Sequence, residues 1–324
     1  MARDLRPAPR ATAAGFAAVR RGHGRRRTWA ARLARSIAPA AAAAAVLLAF
    51  PLTPTAAERQ LRVCSDPNNL PFSNRAGEGF ENALAELIAD ELGAELSYTW
   101  WAQRRGFIRN TLDAGECDLV IGVPADYELV ETTRPYYRSS YVFVYPAAEQ
   151  LDLRSLGDPR LRKLRIGVHL TGDDGANPPP VHALGRLGIV DNVVGYMIYG
   201  DYRDPNPPAR LIEAVANGEV DVATAWGPLA GWFAQRSDVP LEVQPIKDGA
   251  AFAPLPFEFS IAMGVRRGDT ALRDEIEAVL ESRRDDVVAT LERYGVPLVE
   301  PRDGRAAEGA EPLRVAHDDV SEGQ

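Results

Sequence analysis

The stretches LRVCSDPNN (61–69) and GECDLVIGV (115–123) return 103 residues later as LRIGVHLTG (164–172) and GEVDVATAW (218–226). In each copy an apolar strand is followed by helical segments, a glycine suited to a helix C-cap, an acidic turn, and a second apolar strand at 119–123 or 222–225. Two motifs that share one offset read as βαβ units repeated in two α/β lobes of the same design.

The segments between these strands carry helical periodicity. Leu84, Leu87, Ile88 and Leu92 form an apolar stripe closed by Gly93, and Phe107, Ile108, Thr111 and Leu112 form the next, ending at Gly115. In the second lobe Asn206 reads as an N-cap with Pro207 at the first helical position, and Leu211, Ile212 and Val215 face the sheet before Gly218. Asp269 is expected to cap a helix carrying Leu272, Ile276, Val279 and Leu280, and a following helix with Val287, Val288 and Leu291 stops at Gly295. Extended runs at 141–146 and 256–263 provide two crossovers and therefore a hinge. Lobe one is read as 58–146 with 256–300, lobe two as 147–255, and 301–324 as a disordered acidic tail without periodicity.

The first 57 residues differ in composition from the rest. They hold ten of the 37 basic residues and one of the 45 acidic ones, which leaves a net charge of −17 on the 267 residues that follow. Arginines at 25–27, 32 and 35, an apolar run at 37–50 and Thr55-Ala56-Ala57 make up a secretory signal with cleavage after Ala57. The apolar run falls short of the roughly 20 residues that span a bilayer, so no stable membrane anchor is expected. The acidic body disfavours nucleic acid and anionic membrane surfaces.

The phrases PNNLPFSN…GEGFENALAELIADELG (67–93) and RPYYRSSYVFV (134–144) resemble type II periplasmic solute-binding proteins. More narrowly, RVCSDPNNLPFSN, YTWWAQRRGFIRNTL, IGVHLTGDDGANPPP, GYMIYGDYRDPNPPARLIEAVANGEVDVATAWGPLAG and PFEFSIAMGVRRGD are similar to the J proteins encoded beside PQQ-dependent methanol dehydrogenases (MoxJ/XoxJ type). The resemblance covers about 61–296. It implies a type II periplasmic-binding-protein fold in which two α/β lobes are joined by two hinge crossovers. It also implies a periplasmic accessory of a calcium- or lanthanide-dependent quinoprotein alcohol dehydrogenase, aiding maturation or activation by contact with that enzyme or its cytochrome c. An ABC-transporter receptor for a small non-amino-acid solute is the alternative. Amino-acid receptors of this fold clamp the ligand carboxylate with an Arg in a T-x-x-R phrase. No Arg occurs from Val120 to Thr133 here, and only a shifted Arg134 or Arg138 could substitute, so common L-amino acids are not expected to bind. A protein that has exchanged solute capture for partner binding needs no closing contacts, so a wide cleft is expected.

Ligands of open parallel sheets sit beyond the carboxyl ends of strands. That rule selects Asp66, Asn68, Asn69 and Phe72, then Pro124, then Asp173 and Asp174, then Trp226, with Tyr136 and Tyr137 either lining the pocket or packing the hinge. Trp100, Trp101, Arg104, Arg105 and Arg109 form the densest aromatic and cationic stretch, partly on one face at helical spacing, and are the candidate partner anchor. The body contains only three histidines and no H-E-x-x-H, G-x-S-x-G, Walker or haem-attachment motif, so no catalytic residue, metal or cofactor is assigned. An exported cysteine pair permits a disulfide. The strand reading nevertheless staggers Cys64 and Cys117 by roughly 10 Å, beyond the approximately 7 Å Cα limit, so a bridge requires a different register.

Overall fold

The chain begins with a parallel βαβ unit. In the computed structural model, which describes residues 59–171, 177–198 and 203–300, β1 (Gln60–Ser65) leads through the small hairpin β2 (Asn68–Asn69) and β3 (Ser73–Asn74) into α1 (Phe80–Leu92). There follow β4 (Glu95–Trp100), α2 (Phe107–Asn110), β5 (Leu119–Pro124), β6 (Glu131–Thr132) and the long β7 (Tyr137–Pro146). The second lobe contains β8 (Ile166–Leu170), α3 (Pro179–Arg186), β9 (Val193–Met197), α4 (Arg210–Ala216), β10 (Val222–Trp226), α5 (Gly227–Ala234) and β11 (Leu241–Pro245). The chain returns through β12 (Glu258–Val265) to α6 (Thr270–Ser282) and α7 (Arg284–Arg293). The leader, its cleavage point and the tail at 301–324 lie outside the described residues. Among those described, no helix is long and apolar enough to cross a membrane.

The internal repeat has a physical cause. In lobe one the guanidinium of Arg62 grips Asp118 through Nη2–Oδ1 at 2.6 Å and Nε–Oδ2 at 2.9 Å, and donates to the Gly115 carbonyl at 2.7 Å. In lobe two Arg165 grips Asp221 through Nη2–Oδ1 at 2.6 Å and donates to the Glu219 carbonyl at 2.8 Å. Each clasp ties the start of the first strand to the turn entering its parallel neighbour, β5 beside β1 and β10 beside β8. Burial pushes the Asp118 carboxyl upward, but hydrogen bonds from Arg62 and Arg266 outweigh it and hold the group below its ordinary value.

The hinge is a pair of strands within one sheet, ordered β4-β1-β5-β12-β7-β10-β8-β9. β7 begins earlier than the periodicity predicts. Tyr137–Ser140 pair with β12 on the lobe-one side, and 141–146 pair with β10 and β11 on the other. One strand thus belongs to both lobes. The helices follow the sequence reading: Leu84 and Ile88 of α1 are fully buried, Gly93 ends it in the left-handed region, and Asp269 caps α6 by accepting the Leu272 amide at 3.3 Å.

Cys64 and Cys117 are bridged, with Cα atoms 5.5 Å apart. The three-residue stagger holds, with Cys64 paired to Val120, but the predicted separation does not, because Cys117 lies in the turn before β5 and not in extended backbone. β5 starts at Leu119, and the preceding turn lies across the sheet face at the level of Cys64, where the Glu116 carbonyl accepts from Thr99, the residue paired with Cys64.

His169 in β8 is 5 % exposed, with Nε2 3.3 Å from the Pro208 carbonyl, and burial pushes it down to about 4. The unfolded chain takes up that proton near 6.5, so it binds more protons than the folded one between these values. Stability should therefore fall as pH drops from 6.5 toward 4, by about 3 kcal/mol in total from this group. Urea midpoints at pH 7 and pH 5 test this, and His169→Gln should remove most of the difference.

Candidate functional site

The carboxyl ends of β1, β5, β8 and β10 converge between the lobes, and aromatic side chains fill the space. Trp226, last residue of β10, reaches across to pack on the lobe-one core, 5.6 Å edge-on from Phe259 and 5.4 Å from Tyr141. Hydrogen bonds join the two rims: Asn68 Nδ2 donates to the Asp204 carbonyl at 2.8 Å, and the Asn206 amide donates to Asn68 Oδ1 at 3.1 Å. Asn206 holds the predicted N-cap position, with Pro207 opening the short 3-10 turn that leads into α4, but its side chain makes no capping bond and its backbone is left-handed at φ 49°. On the other side of the hinge, α5 docks so tightly on the segment after α7 that a Cβ at Gly231 would overlap the Gly295 carbonyl. Trp232 there stacks on Tyr294 at 4.6 Å. The wide cleft expected from the sequence is therefore not found, because the lobes supply their own closing contacts.

The predicted cleft residues divide by role. Asp66 is 2 % exposed and organises the loop, Oδ1 accepting the Asn68 amide at 2.8 Å and Oδ2 the Gln103 amide at 2.7 Å. Asn69 reaches Gln103 at 3.4 Å, and Phe72 packs edge-on against Phe80. Pro124 ends β5 opposite Ile261. Tyr137 is buried in the lobe-one core beside Phe80, and Tyr136 lies against it with its hydroxyl buried and lacking a hydrogen-bond partner among the described residues. Asp173 and Asp174 lie outside the described residues.

Sequence reasoning missed Glu81, in the first turn of α1. Its carboxyl lies over Gly122, the β-bulge residue at φ 83°, where a Cβ would collide with it. Burial, and then the charge of Asp66, raise Glu81 well above the ordinary carboxyl range, and burial with Glu81 raises Tyr136 and Tyr137. Both arginines that could have replaced the missing carboxylate clamp are engaged: Arg134 with Glu277 at 3.0 Å and Glu281 at 3.1 Å, Arg138 with Glu258 at 2.7 Å. Among the described residues, no three His, Cys, Asp or Glu side chains group to hold a metal ion.

The aromatic and cationic stretch does not share a helical face. Trp100 ends β4, stacked on Tyr98 at 4.6 Å with Arg75 5.5 Å from its ring, 101–106 form an irregular turn, and only Arg109 is helical. The left-handed Gly106 delays the helix to Phe107. Trp101 is nevertheless 46 % exposed, and Arg104, Arg105 and Arg109 are exposed with it.

The profile of the bacterial extracellular solute-binding proteins, family 3, matches residues 61–295. The chain belongs to that family. Protein MoxJ of Methylorubrum extorquens is 34% identical over 250 residues, 74% of this chain and 81% of MoxJ. The crystal structure of periplasmic binding protein XoxJ from Methylobacterium extorquens AM1 is 40% identical with a TM-score of 0.62, over 74% of this chain and 100% of that one. That of MxaJ from Methlophaga aminisulfidivorans MPT is 27% identical with a TM-score of 0.66, again over 74% and 100%. The chain is a solute-binding protein of the MoxJ/XoxJ type with the periplasmic-binding-protein fold.

Proposed function

We infer that this chain is a periplasmic accessory protein of a PQQ-dependent alcohol dehydrogenase, exported by its leader and aiding the enzyme's maturation or activation by protein contact. The observation that carries this reading is a cleft closed by the protein's own side chains, in place of the wide cleft that the same reading led us to expect. Trp226, Phe259 and the Asn68–Asn206 contact supply the closing interactions that a solute provides in a receptor. A ligand moves a hinge only by its differential affinity for the closed state, and little is left here for one to add. Likeness to MoxJ and XoxJ supports the same reading.

The proposed anchor for the dehydrogenase, or for its cytochrome c, is Trp101 with Arg104, Arg105 and Arg109, a basic and aromatic patch on a body of net charge −17. Such a patch gives an acidic partner a local point of approach. Trp101→Ala with Arg105→Ala is expected to weaken capture of the purified co-encoded dehydrogenase about tenfold or more, with the unfolding midpoint unchanged because both side chains are exposed. Undiminished capture would remove the patch from the interface.

The transporter-receptor reading has one observation in its favour: the buried hydroxyls of Ser140, Thr171 and Thr224 have no hydrogen-bond partner among the described residues, and a polar solute could satisfy them.

A further inference from the structure

A groove of about 820 Å3 opens beside the cleft, where α4 and α5 of lobe two meet Leu70, Glu78 and Tyr294 of lobe one. Its floor is fixed, because Trp232 is sandwiched between the Tyr294 ring at 4.6 Å and the Arg236 guanidinium at 3.0 Å. Arg236 also donates to the Trp232 carbonyl at 3.2 Å. The cation itself lines the groove, held over the ring and in no ion pair among the described residues. Glu213 and Asp238 line the same groove, are exposed, and form no ion pair with it or with any other described residue. Glu78, the third acid, accepts from Asn74 Nδ2 at 2.7 Å. Phe233 and Val239 place apolar surface in the same groove.

We propose that this groove is a docking site for a lysine-bearing protein segment, whose aliphatic stems cover Phe233 and Val239 while its ammonium groups pair with Glu213 and Asp238. Lysine suits the site better than arginine. Both faces of Trp232 are taken, so a planar guanidinium finds no ring to stack on, whereas a compact ammonium on a flexible stem needs none. An acidic segment is repelled by two unpaired carboxylates. Because both lobes build the walls, the groove exists only while the lobes keep this relation, and its occupant would bind the closed form preferentially. The site is formed by other residues than the Trp101 patch, carries the opposite charge, and does not depend on the dehydrogenase reading.

The test is fluorescence anisotropy of a short labelled peptide alternating Lys and Leu, titrated with the mature protein. Saturable binding is expected, weakened about tenfold or more by Glu213→Gln with Asp238→Asn. Glu128→Gln with Glu149→Gln, which neutralises two exposed acids elsewhere, should leave it unchanged. Phe233→Ala should also weaken it, separating docking from charge alone. Equal losses in the two double variants, equal binding of a Glu and Leu peptide, or no saturable binding to the unmodified protein would each overturn the proposal.

Discussion

Replacing Cys64 and Cys117 by alanine is expected to lower the unfolding free energy by about 4 kcal/mol, the loop-closure value for a bridge spanning 53 residues. Both sulfurs are buried, at 2 % and 0 % residue exposure, so the small apolar replacements add little packing cost beyond the lost tether. The bridge joins β1 to the turn entering β5, where the Arg62–Asp118 clasp already holds the same two strands. Guanidinium titrations of the double variant should show an earlier midpoint. The unsubstituted protein should reach the same midpoint after reduction, and no shift in either would mean that the clasp alone sets the geometry.

Trp226→Ala is expected to cost about 3 kcal/mol and, more tellingly, to part the lobes. The indole packs on two aromatic neighbours drawn from both sides of the hinge, Tyr141 and Phe259, and against the lobe-one core. Without it, closure rests on the Asn68 hydrogen bonds, the Gly231–Gly295 contact and the Trp232–Tyr294 stack. Small-angle scattering should report a larger radius of gyration for the alanine variant and an unchanged one for Trp226→Phe, which keeps an aromatic ring at the site. An alanine variant as compact as the parent would show that the outer contacts close the molecule unaided.

Local periodicity made the helices of both lobes legible, since Leu84, Ile88, Leu211 and Ile212 are buried by the same face that the spacing selects. The repeat was legible for a deeper reason: it records an Arg–Asp clasp made twice, at Arg62–Asp118 and Arg165–Asp221. Contacts between segments far apart in the chain were not legible. Nothing near Cys117 announces that its turn folds over the sheet face, and the spacing of Trp101, Arg105 and Arg109 suggests a helix that Gly106 delays. The candidate site suffers most from this. Trp226 was identified from its place at a strand end, but its reach into the opposite lobe depends on Phe259, 33 positions later.

The central claim, that this solute-binding fold serves a dehydrogenase and not a transporter, is tested most directly by deleting the gene and measuring PQQ-loaded alcohol dehydrogenase activity in the periplasm at equal transcript level. The account predicts a marked loss, restored by the unmodified gene and less well by one carrying Trp101→Ala and Arg105→Ala. Full dehydrogenase activity together with loss of uptake of a small solute would contradict it and establish the receptor reading instead.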